Sequence, residues 1–198
     1  MGTLGPLVKE VETRRAWVVS AAALTLAGLV SSATMGAIVG GLGKVLVPDS
    51  AGGWGLAIVI TLALVAAARE FGWISVPLPQ PKRQTSEWWG KLYGRRAASL
   101  LWGLDLGLTF TTWFTFSGPL VLAALAFVVG NLFVGTALFT MMWLGRALSV
   151  WLAPLLMRGA TTAPQMLDSV SRQKHILQLE HGVALVVVAA LLVVAVTV

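Results

Sequence analysis

The chain has 198 residues, 57% of them hydrophobic and only 11% charged, with a mean hydropathy of +0.84. So few charges cannot cover the surface of a water-soluble domain of this size. The net charge of +6 would suggest nucleic acid in a soluble protein, but here the cations lie in short polar segments between apolar blocks. That pattern excludes a basic nucleic-acid-binding domain and points to topology and anionic lipid.

Cysteine is absent, which rules out disulfides, thiol redox chemistry, thiolate metal sites and cysteine lipidation in this chain. The first fifteen residues, MGTLGPLVKEVETRR, form a polar leader in which Lys9, Arg14 and Arg15 nearly balance Glu10 and Glu12. The apolar run behind it is longer than a signal-peptide core, and Pro6 stands where a myristoylation signal needs serine or threonine.

Residues 16–46 come next, 31 in number and about 46 Å long as a helix. One straight crossing of a hydrocarbon core needs only roughly 30 Å. Near the middle stand Ser31, Ser32 and Thr34, followed by glycines 36, 40, 41 and 43, and a helix break within 31–36 is expected. Gly36, Gly40 and Lys44 recur every four residues, giving a smooth face ended by a cation. Lys44 reads as a snorkelling interfacial lysine and is kept among the candidate pathway residues.

Residues 54–70 make a second crossing, ended by Arg69 and Glu70, which read as interfacial. The linker 74–96, ISVPLPQPKRQTSEWWGKLYGRR, carries Lys82, Arg83, Lys91, Arg95 and Arg96 against Glu87, so the positive-inside rule makes it cytoplasmic. Trp88, Trp89 and Tyr93 read as interfacial anchors, as do most of the nine tryptophans. Residues 97–129 are again too long for one straight crossing, 33 residues or about 50 Å. Their interruption is Thr111, Thr112, Thr115, Ser117, Gly118 and Pro119. Proline removes a backbone donor and clashes with the preceding turn, so a second break is expected within 115–119.

Asp105 lies inside this third block, flanked by Gly103 and Gly107 in a G-x-x-x-G spacing that lets another helix approach. An intramembrane carboxylate is costly and usually faces a partner charge or a pathway. Arg146, inside the fourth block at 132–157, is the expected partner, paired directly or through one water. A polar stretch, 158–181, reads as a short amphipathic surface helix over about 164–180, with His175 and His181 at the surface. Residues 182–198 form the last block.

The expected fold is all-α, a polytopic transmembrane helix bundle of five to six spans, with two long broken helices as an internal repeat. Six spans arise if the first block bends into a hairpin, which also moves the N-terminus across the membrane. The leader 1–15, a first half 16–73, the linker 74–96 and a second half 97–198 are the expected parts. No G-x-S-x-G, Walker, H-E-x-x-H or paired-carboxylate arrangement occurs, so catalysis by a metal or an acid pair is poorly supported and no bound cofactor or metal is expected, a membrane enzyme being kept as a third reading.

The linker leading into RRAASLLWGLDLGLTFTTWFTFSGPLVLAALAFVVGN, with Gly118-Pro119 at the end of its break, resembles the midpoint of the transmembrane thiol–electron carriers of cytochrome c biogenesis, the CcdA and DsbD transmembrane family. The segment LAGLVSSATMGAIVGGLG occupies the place of that family's first cysteine-bearing span, and HGVALVVVAALLVVAVTV resembles its closing span. The likeness runs over roughly two-thirds of the chain and rests on hydrophobic pattern plus small residues. It implies a scaffold of two broken helices, here without the cysteines that carry the family's electron transfer.

The expected function is therefore transporter-like, moving a small polar or ionic solute through a midplane cavity between two broken helices. The candidate pathway residues are Asp105, Arg146, Ser31, Ser32, Thr34, Thr111, Thr112, Thr115, Ser117, Pro119 and Lys44. The alternative is a non-transporting structural or assembly subunit of a larger membrane complex. The expected partners are the lipid bilayer of the cell's inner membrane and a second membrane subunit or another copy of the chain, with no nucleic acid.

Overall fold

Six helices form among the described residues of the computed structural model, which are 14–48, 52–79, 83, 85, 86, 88–112, 115–156 and 174–197. They are α1 (Arg14–Leu46), α2 (Gly52–Glu70), α3 (Trp88–Gly107), α4 (Gly118–Val129), α5 (Leu132–Leu156) and α6 (Lys174–Thr197). Four of them contain stretches long and apolar enough to cross a membrane: Arg15–Leu46, Gly53–Glu70, Leu132–Leu152 and His175–Ala195. Their outward faces are apolar too, with Leu26, Val30, Ile58, Met141, Leu191 and Val194 exposed. Surface of this kind is stable in lipid and a liability in water. The chain is a membrane protein.

α1 runs as one helix of 33 residues, so the expected break within 31–36 does not occur. The reason is local: the segment holds no proline, and its hydroxyls are absorbed by their own helix. Ser31 donates to the Gly28 carbonyl at 3.3 Å, Ser32 to Leu29 at 3.2 Å, and Thr25 to Ala21 at 2.8 Å. Back-bonding of this kind lets a hydroxyl sit inside a helix without leaving it unsatisfied. With α1 continuous, the first block is neither broken nor bent into a hairpin.

The third block does break, between Gly107 and Gly118, where the described residues 108–112 and 115–117 are outside any helix, earlier than the expected 115–119. α3 contains a non-helical residue at Gly94 (φ 75°) and closes at Gly107. Pro119 then stands in the first turn of α4, with Ser117 at the N-cap, where a fixed φ and a missing N–H cost nothing. Here proline starts a helix rather than kinking one. α4 is 12 residues, about 18 Å, and stops at Gly130, whose φ of 59° suits a residue without Cβ. Asn131 then caps α5, its side-chain oxygen accepting from the Phe133 and Val134 N–H groups at 2.8 and 3.1 Å.

The leader before residue 14 and most of the expected surface helix lie outside the described residues. The part of that helix that is described, 174–180, is the start of α6 and continuous with the last span. α2 ends in a Schellman turn: Trp73 N–H donates to Ala68 and Gly72 N–H to Arg69, with Gly72 at φ 77°.

The helices group into two compact units, each drawing on both sides of the 74–96 linker. The first comprises Met1–Ala33, Gln80–Trp113 and Thr140–Arg172; the second comprises Thr34–Pro79, Phe114–Phe139 and Gln173–Val198. The first unit packs Trp17, Leu24, Trp102, Leu106, Trp143 and Val150 together. Three of the tryptophans expected at the membrane interface are thus core residues. Two of them have their indole N–H satisfied, Trp102 by the Ser86 carbonyl and Trp143 by that of Thr25, both at 2.9 Å, which is what burial of an indole requires. Glycines make this packing close. A Cβ on Gly103 would overlap the Leu24 carbonyl of α1, one on Gly107 the Ser31 hydroxyl, and one on Gly28 the Trp143 ring.

The second unit packs α2, α4 and α6 around Val59, Ala63, Val121, Leu185 and Ala189. The C-terminal half of α1 uses its small-residue face here: Gly36 lies against the Gly135 carbonyl, Gly40 against that of Asn131, and Gly43 against that of Phe127.

Candidate functional site

In the first unit, Asp105 sits on the last turn of α3, buried at 8% exposure. Its Oδ2 accepts no hydrogen bond and lies 3.6 Å from Nη2 of Arg83. Arg83 comes from the 74–96 linker, and more than half of its side chain is exposed. Arg146, the expected partner, is directed elsewhere, its Nη1 donating to the Leu106 carbonyl at 3.4 Å. The direct Asp105–Arg146 ion pair is therefore replaced by a looser Asp105–Arg83 pair. The Leu106 carbonyl, near the end of α3, accepts both the Thr109 N–H at 3.2 Å and Arg146, while the linker supplies a cation to Asp105.

The backbone leaves α3 through a strained turn. Thr109, fully buried, has φ 64°, a left-handed conformation that a β-branched residue adopts only under constraint. Its hydroxyl donates to the Gly107 carbonyl at 3.3 Å. Thr111 folds back to donate to the Asp105 carbonyl at 2.6 Å. Thr112 is buried with its Oγ1 unpartnered. Ser31 and Ser32 are also buried, and Gly107 rests against Ser31. Six of the sequence-predicted residues thus belong to this unit: Asp105, Arg146, Ser31, Ser32, Thr111 and Thr112.

The other five belong to the second unit. Lys44, Thr34 and Thr115 are exposed there, and Pro119 is half-buried. Ser117 is buried at a second carboxylate that the sequence reading placed at the interface. Glu70 has a wholly buried side chain. Its Oε1 accepts from Ser117 N–H at 2.8 Å, from Ser117 Oγ at 2.6 Å and from Arg69 Nη1 at 2.8 Å. Arg69 is in turn fixed by donating from Nε to the Val76 carbonyl at 2.8 Å. Glu70 Oε2 has no partner. His181 is not a surface residue either: its ring stacks on Phe116 with centroids 3.8 Å apart.

Sequence reading missed Arg83, Thr109, Glu70 and His181. A signal existed only for Glu70, an acid closing an otherwise acid-free apolar block just as Asp105 interrupts one. No protein-family model, curated protein or solved structure matches the chain.

Proposed function

We propose that the protein moves a small polar or ionic solute across the membrane, and that the Asp105 site lies on the solute's path. The observation that carries this reading is the state of Asp105: a carboxylate buried in an apolar chain, with an oxygen that accepts no hydrogen bond. Such a group costs several kcal/mol unless function retains it. The interrupted pair α3–α4 supports the same reading, because broken helices at membrane depth persist where they line a polar path. The resemblance to the thiol–electron carriers of cytochrome c biogenesis supplies a scaffold of this kind, emptied of its thiols. In this topology the protein is an inner-membrane protein with the 74–96 linker in the cytoplasm. Thr85→Cys, the single thiol of an otherwise cysteine-free chain, would then react with an impermeant maleimide from the cytoplasmic side only.

Purified protein in liposomes tests transport, using labelled sodium, guanidinium, chloride and glycerol as probes. Flux of one probe that Asp105→Asn abolishes, while the variant stays folded, is the expected result. Absence of flux for all four, together with stable co-purification of a second polypeptide, would replace this reading with that of an assembly subunit.

A further inference from the structure

We infer that Asp105 forms a binding site for a small monovalent cation bearing N–H donors, a guanidinium or a primary ammonium, and that Arg83 occupies this site as a tethered competitor. The inference rests on the transport reading and names its substrate class.

The geometry of the Asp105–Arg83 pair is that of an occupant rather than a lock. A structural arginine–carboxylate bridge is dry and bidentate, with N–H···O distances of roughly 2.7–2.9 Å. Here a single contact is made at 3.6 Å by an arginine whose side chain stays 56% exposed, while the side chain of Asp105 is only 8% exposed. One end of the pair is committed to the interior and the other is held by little. A cation held by one long contact from a side chain that stays largely in solvent is weakly held, so a free cation of matching chemistry can displace Arg83.

The remaining groups fix the class of ligand. Asp105 Oδ2, which faces Arg83 without a hydrogen bond, and the hydroxyl of Thr112 are both buried and accept no hydrogen bond, and oxygens of both kinds can accept from N–H donors. The Leu106 carbonyl is already used by Arg146. Calcium takes six to eight oxygen ligands and magnesium a near-octahedral set of them. Among the described residues the unit has one carboxylate here, and the Arg146 guanidinium is bound to the carbonyl of the next residue, which disfavours a doubly charged ligand. A single-charge ligand with N–H donors fits both facts.

The test uses the full chain purified into lipid nanodiscs and titrated with guanidinium chloride at millimolar levels, choline chloride holding the ionic strength constant. Binding is read by tryptophan fluorescence and by thermal stability. If Arg83 competes for the site, removing it raises the fraction of protein ready to bind. Arg83→Gln should then bind guanidinium about fivefold more tightly than the native chain, and Arg83→Lys should bind it about as the native chain does. Asp105→Asn should show no saturable binding. Equal affinity of the native chain and Arg83→Gln would overturn the inference, as would saturation by sodium or by acetate in place of guanidinium. The Arg83→Gln comparison keeps Asp105 intact, so an Asp105 variant that fails to fold does not weaken it. Saturable guanidinium binding without flux would overturn transport and leave the cation site standing. Asp105-dependent flux of glycerol or chloride, indifferent to guanidinium, would do the reverse.

Discussion

Glu70 and Asp105 are both carboxylates at the end of a helix, both more than nine-tenths buried, and they are held in opposite ways. Glu70 Oε1 gathers three donors within 2.8 Å, one of them the N–H of the residue that caps α4. Its arginine neighbour is itself tied to a backbone carbonyl. Asp105 has one cation, at 3.6 Å, from a side chain that stays largely in solvent. Burial alone therefore does not identify a functional carboxylate. What separates the two is whether their hydrogen-bonding capacity is spent on the fold. Glu70 spends much of it as a clasp between α2 and the start of α4, with the helix N-terminus adding favourable charge; Asp105 is left available.

The comparison is broken first by removing the clasp. Glu70→Ala strips the Arg69 guanidinium and two donors of Ser117 from their shared acceptor, and the loss of one member of a buried network of this kind costs about 3–5 kcal/mol. We expect the largest drop in thermal stability of any variant here, measured on protein in detergent micelles. A drop no larger than that of Asp105→Asn would remove the distinction between the two sites. Next in size is Gly103→Val, which drives a branched side chain into the Leu24 carbonyl of α1 and should cost about 1–3 kcal/mol through overpacking. An unchanged melting temperature would mean that α1 and α3 are not in the contact described. Ser117→Ala removes only the hydroxyl donor and leaves the N–H to Glu70, so a loss of about 1 kcal/mol is expected in the same measurement.

Hydrophobic blocks and their stops were legible in the sequence. The second and fourth blocks, read as 54–70 and 132–157, are α2 and α5 to within two residues, because Gly, Asn and charged residues punctuate them. The glycine pair around Asp105 does pack against another helix. The failures share a cause, which is that partner choice is tertiary. Ser31 and Ser32 looked like a break because they interrupt a block too long for one straight crossing, yet carbonyls three residues back satisfy their hydroxyls and the helix runs on. Arg146 looked like the mate of Asp105 because it was the nearest intrablock cation, yet the mate is a linker residue whose position no periodicity reports. Glu70 looked interfacial because it ends a span, and only the return of Ser117 to its side buries it. Trp102 and Trp143 looked interfacial by residue type, and backbone carbonyls within reach made the interior available to them.

The smallest expected effect is the most discriminating one. A double-mutant cycle measures coupling between two side chains apart from the cost of each substitution, so it can decide which arginine Asp105 is paired with. Among the described residues Arg83 is the cation within ion-pair distance of Asp105, and Arg146 has a backbone acceptor instead. Asp105→Asn with Arg83→Gln should then show a coupling of about 0.5–1 kcal/mol, the range for a pair with one exposed partner. Asp105→Asn with Arg146→Gln should show less, because Arg146 keeps its bond to the Leu106 carbonyl whether or not residue 105 is charged. Raising the salt concentration should shrink the first coupling, since a guanidinium in solvent is screened by ions, and should leave the buried Glu70 clasp nearly unchanged. A larger coupling to Arg146 than to Arg83 would return Asp105 to the structural role that Glu70 plays, and with it the contrast between a spent carboxylate and an available one would disappear.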